Sequence, residues 1–72
     1  MPYTKAETAA RFEQALRREP LTLAQVQRDH AEGRGTKAAK VAMLRLVVKR
    51  GNVTPEARQW CAEQADKLAE AV

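Results

Sequence analysis

Isoleucine and serine are missing from this chain, and cysteine, histidine, asparagine, phenylalanine, tryptophan and tyrosine occur once each. Without serine there is no serine nucleophile, and a lone Cys61 cannot close an internal disulfide. The one histidine, His30, has Asp29 beside it, but adjacent helical positions point apart, so no dyad follows. No set of Cys and His has metal-ligand spacing. Apolar runs stay below about ten residues, short of a membrane span or a secretory core. These gaps lead to the expectation of a cytoplasmic binding protein. No catalysis, cofactor, metal, small-molecule substrate or membrane partner is expected.

Core material is also scarce. Of 72 residues, 14 are Ala, while Leu, Val and Phe together number 13. A chain of this length is one domain, spanning 1–72, and buries only about 60% of the surface its unfolded form exposes. The low aliphatic content borders on that of disordered chains. Three Gly and three Pro argue against low complexity. Alanine lets helices approach closely but contributes little buried area, so a homodimer that completes the core is a further expectation.

What is present are helix signals. Thr4 and Glu7 form a capping box, in which hydroxyl and carboxylate each satisfy a backbone donor left free at a helix start. Thr8, Ala9, Phe12, Ala15 and Leu16 then recur as one apolar stripe, with Phe12 expected in the core. Pro20 ends that helix. Thr22 and Gln25 make a second capping box, with Leu21 and Val26 placed as a hydrophobic staple. Leu23, Val26 and His30 share a face, and Gly33-Arg34-Gly35 is expected to end the helix, glycine being able to take the left-handed conformation. The third helix is apolar on two sides: Val41, Leu44 and Val48 on one, Ala39, Ala42, Met43 and Leu46 on the other. Such a helix lies between neighbours or is shared with a partner. Thr54 and Pro55 open the fourth, whose stripe is Ala57, Cys61, Ala65, Leu68 and Val72. Trp60 falls at the stripe's edge and is expected to be core. The expectation is an all-α bundle of four short helices at about 4–19, 22–32, 36–50 and 54–71, with sequential helices as neighbours.

The net charge of +4 is unevenly spread. Residues 21–51 carry seven cations, Arg28, Arg34, Lys37, Lys40, Arg45, Lys49 and Arg50, against Asp29 and Glu32. Residues 52–72 are acidic, with Arg58 and Lys67 against four carboxylates. A basic middle fits a polyanionic partner. Gly33-Arg34-Gly35-Thr36-Lys37 could point backbone donors at a phosphate, although it lacks the spacing of a P-loop. The middle also reads as helix-turn-helix-like about Gly35, with Ala31 as the small residue and Val41 and Leu44 buried. No Asn or Gln lies on the third helix to read adenine, so phosphate affinity is favoured over base recognition.

The function expected is therefore a regulator acting on the transcription machinery through nucleic-acid phosphates or an acidic protein surface. Its seven candidate contact residues are the cations of residues 28–50. In size and composition the chain resembles the small accessory proteins of phages and plasmids. That resemblance implies the alternative, a stoichiometric inhibitor or adaptor that binds a host protein without touching nucleic acid.

Overall fold

A computed structural model describes residues 3–70 as four helices: α1 (Lys5–Leu16), α2 (Leu23–Glu32), α3 (Lys37–Arg50) and α4 (Pro55–Glu70). The all-α reading holds, and both capping boxes form as the sequence implies. The Thr4 hydroxyl accepts the Glu7 N–H at 3.1 Å, and the Thr22 hydroxyl accepts the Gln25 N–H at 3.2 Å. Thr36 and Thr54 cap α3 and α4, accepting from Ala39 N–H at 3.1 Å and Ala57 N–H at 3.3 Å. Val72 and residue 71 lie outside the described residues.

Three local expectations are corrected. First, α1 ends at Leu16, well before Pro20. Arg18 takes a left-handed backbone (φ 56°), and Glu19 N–H reaches back to Gln14 carbonyl at 3.1 Å. That is a Schellman closure built on arginine in place of the usual glycine, which carries a steric cost. Second, of the two glycines expected to end α2, Gly33 is not left-handed (φ −63°). Gly51 is needed for space, because a Cβ there would lie 2.6 Å from the Val47 carbonyl oxygen. The positive φ belongs to Gly35, at 146°. Third, the helix-turn-helix pattern fails at its small residue. Ala31 is exposed, whereas Leu44 is buried as expected and Val41 only half-buried.

The core sits between α4 and its two neighbours, α2 and α3. Val26, Leu44, Val53, Ala57, Cys61 and Ala65 are buried, with Leu23, Val41, Val48, Trp60 and Leu68 partly covered around them. Half of the buried set is alanine or cysteine, so the core is thin and depends on close helix approach. The Arg58 guanidinium donates to the carbonyls of Val48 and of Gly51, the latter at 2.9 Å, and so closes the end of α3. Among the described residues there is no strand. A parallel bridge nevertheless joins the two outer connections: Leu21 N–H donates to Asn52 carbonyl and Thr54 N–H to Leu21 carbonyl, both at 2.9 Å. Asn52 adds an amide hydrogen bond to the Arg18 carbonyl at 3.1 Å. Each bridging residue directly precedes a threonine cap, so α2 and α4 start side by side.

Helix α1 stands apart. None of its residues is buried, and the stripe expected in the core faces solvent, with Phe12 66% and Leu16 67% exposed. It docks by its polar face. Arg11 pairs with Asp29 at 2.7 Å, Glu7 with Arg28, and Gln14 and Gln25 exchange amide hydrogen bonds at 2.9 and 2.8 Å. The cost is visible in the dimensions. A radius of gyration of 12.6 Å exceeds the value of about 11 Å usual for this length. The accessible surface of 5590 Å² exceeds the roughly 4,450 Å² of a typical monomer of 8.0 kDa.

Candidate functional site

The seven cations differ in how they are engaged. Arg28 is engaged inside the chain: it pairs with Glu7, reaches Glu32 at 3.3 Å, and lies 4.4 Å from the Tyr3 ring centre. Arg11 bonds the Tyr3 hydroxyl at 3.0 Å and lies 5.3 Å from the centre of the same ring, so Tyr3 fastens α1 to α2. The Thr36 hydroxyl is committed to its cap. On α3, at about 100° per residue, Lys40 stands well over a quarter turn from Arg45 and Lys49. Arg50 lies on yet another side. Arg34, Lys37, Arg45, Lys49 and Arg50 are exposed, and Lys40 is half-buried.

The outward strip of α3 between these charges is apolar. Met43 is 60% and Leu46 49% exposed, alongside exposed Ala39 and Ala42, so the second apolar face expected for α3 is open. Its Met43 edge turns into a groove of about 330 Å³ between α2 and α3. Val26, Leu44, Val47 and Val53 line the floor, while Arg34 and Lys40 stand at the rim. No local pattern of residues marks this groove in advance. It arises because α2 and α3 both rest on α4, and its composition is legible only once the Ala31 approach is discarded.

Two further groups of the groove have altered acidity. Burial pushes the Asp29 carboxyl up, and the nearby Glu32 adds to that. The same carboxylate is paired with Arg11 at 2.7 Å. Burial also pushes the Cys61 thiol up, with Arg58 opposing it. A buried thiol held protonated is the reverse of an activated nucleophile. His30 is half-buried against Trp60, ring centres 5.6 Å apart and edge-on at 77°. Trp60 itself is partly covered, at the edge of the core. Among the described residues, no group of three His, Cys, Asp or Glu could hold a metal ion. No described helix is long and apolar enough to cross a membrane.

The docking of α1 is expected to depend on pH. The hydrogen bond from Arg28 holds the Glu7 carboxyl below its usual range, against a smaller opposing effect of burial. A lowered folded pKa contributes stability that is present above the unfolded value and is lost as pH falls through the folded one. Asp29 has the opposite sign: its raised pKa relieves the fold when it protonates. Acidification should therefore release α1 through Glu7 while α3 and α4 stay paired. Amide chemical shifts of α1 followed by NMR from neutral to acid pH check this, and Glu7→Gln should flatten the α1 response.

No protein-family model, curated protein or solved structure matches this chain.

Proposed function

We propose that this protein is a small non-enzymatic regulator that holds an acidic, amphipathic helix of a protein partner in the α2–α3 groove. Its place is with regulators acting on the transcription machinery through an acidic protein surface, in the cytoplasm, where the single thiol stays reduced. The observation that carries the reading is an apolar floor with two cations beside it, Val26, Leu44 and Val47 below and Arg34 and Lys40 at the edge, while the carboxylate of the lining, Asp29, is paired with Arg11 at 2.7 Å. A phosphodiester backbone brings charge but no large apolar side chains, so the floor would go unused. A helix with acidic flanks and apolar residues at i, i+3, i+4 and i+7 uses both. Met43, unbranched and polarisable, adapts to different side chains at the groove's edge. Arg45, Lys49 and Arg50 add long-range attraction that speeds encounter with an acidic target. The separation of Lys40 from Arg45 and Lys49 around α3 also favours this reading over one phosphate track. A stoichiometric inhibitor or adaptor rests on the same groove and differs only in the partner's identity.

The test uses a labelled helical peptide with Leu at that spacing and Asp or Glu elsewhere, beside labelled duplex DNA and RNA. The peptide is expected to bind, and Met43→Glu is expected to weaken it by about tenfold or more. Nucleic-acid binding that falls steeply with salt and ignores Met43→Glu would overturn the reading in favour of phosphate recognition.

A further inference from the structure

Resting on the groove reading, we infer that Arg11 of α1 is a specificity-determining residue of the α2–α3 groove. By pairing with Asp29 it cancels the carboxylate of the groove lining and so lets the groove accept an acidic partner. Among the described residues of the lining, the charged side chains are Arg34, Lys40 and Asp29. A bare Asp29 would halve the positive charge that the two cations offer. Arg11, at 2.7 Å, restores it.

Helix α2 has no cation of its own to spare for this task. Arg28, next to Asp29 in sequence, is committed to Glu7 and Glu32. Glu32 is a like charge, and His30 packs edge-on against Trp60. Arg11 is held ready from the other side. The Tyr3 hydroxyl accepts from it at 3.0 Å, and the Tyr3 ring centre lies 5.3 Å away. The Arg11 and Asp29 side chains are 24% and 38% exposed, so salt screens their pair less than one on the open surface. Arg11 is not itself part of the lining, and it acts on a bound helix only through Asp29.

The element that brings this charge is detachable. None of the 12 residues of α1 is buried, and a helix of up to about 12–15 residues is marginal on its own in water. With α1 docked, Asp29 is neutralised; with α1 released, Asp29 repels an acidic helix. Docking of α1 and affinity for an acidic partner are therefore coupled, and the coupling is reciprocal. The partner strengthens α1 docking by the same factor that docked α1 strengthens its binding. An uncharged helix, indifferent to Asp29, does neither.

The test titrates the full chain with the labelled acidic peptide and with a twin carrying Asn and Gln in place of Asp and Glu. Mildly alkaline pH keeps Asp29 ionised, and low salt keeps the charge effect large. Arg11→Ala is expected to weaken the acidic peptide about tenfold and to leave the uncharged twin unaffected. Asp29→Asn should bind the acidic peptide at least as well as the wild type. Arg11→Ala combined with Asp29→Asn should restore that affinity, which a purely structural loss of α1 would not allow. In the wild type, the acidic peptide should slow hydrogen exchange of the α1 amides, and the twin should not. An Arg11→Ala variant that loses nothing, or loses both peptides equally, overturns the inference, as does a failed restoration. If Met43→Glu still weakens the acidic peptide in that case, the groove reading stands without Arg11. An acidic peptide that does not bind, or that ignores Met43→Glu, removes the groove and the role of Arg11 together.

Discussion

Leu44→Ala is expected to bring the protein close to unfolding, while Phe12→Ala, the loss of a larger side chain, should scarcely affect the folded monomer. Leu44 is 4% exposed and is the largest aliphatic side chain in the buried cluster; Phe12 is 66% exposed. Truncating a buried leucine costs about 2–5 kcal/mol, through lost transfer energy and the cavity left behind. A domain of 72 residues has about 4–11 kcal/mol in total. The substitution therefore removes a large share of the stability, and in a domain of this size should lower Tm by at least about 10 °C. For Phe12→Ala the expected change is within about 0.5 kcal/mol, as for other exposed positions. Urea titration followed by circular dichroism checks both, at protein concentrations low enough to keep the chain monomeric. Equal losses in the two variants would mean that α1 is buried after all.

The second large effect runs in the opposite direction of volume. Ala57→Leu is expected to destabilise by about 1–3 kcal/mol or more, because extra carbons in a close-packed site force neighbours off their rotamers. Ala57 is fully buried with Cys61 and Ala65, and these small residues are what bring α4 up to its neighbours. Enlarging any one of them must push α3 or α2 away from α4. Ala24→Leu is the control: exposed on α2, it should change stability by less than about 0.5 kcal/mol. The same denaturation experiment separates them, and a gain in stability for Ala57→Leu would show unfilled space at that point.

Helix starts were legible because their chemistry is local. Thr4 with Glu7 and Thr22 with Gln25 each satisfy donors within one turn, and Thr54-Pro55 sets its own backbone. The burial of Ala57, Cys61 and Ala65 was legible too, since α4 has neighbours along its apolar stripe. Phe12 was misplaced because periodicity says which residues share a face and nothing about which face docks. In α1, Arg11, Glu7 and Gln14 find partners on α2, and the polar side wins. The end of α1 was missed because arginine seldom takes the left-handed turn that Arg18 adopts. The basic middle gave a charge sum without positions. Arg28 spends its charge on Glu7 and Glu32, and Lys40 stands apart from Arg45 and Lys49. The groove depends on the Leu21–Val53 bridge and on three helices at once, which no local pattern encodes.

That bridge, with the placement of α4, bears on how the chain folds as it is made. Helices α2 and α3 both rest on α4, which follows them in chain order, and Leu21 waits for Val53. During synthesis, α2 and α3 leave the ribosome before their common support exists. Their threonine caps can set local turns early, but short helices without a packing surface do not persist. The earlier helices are therefore held back from a lasting fold until α4 emerges and all three contacts close together.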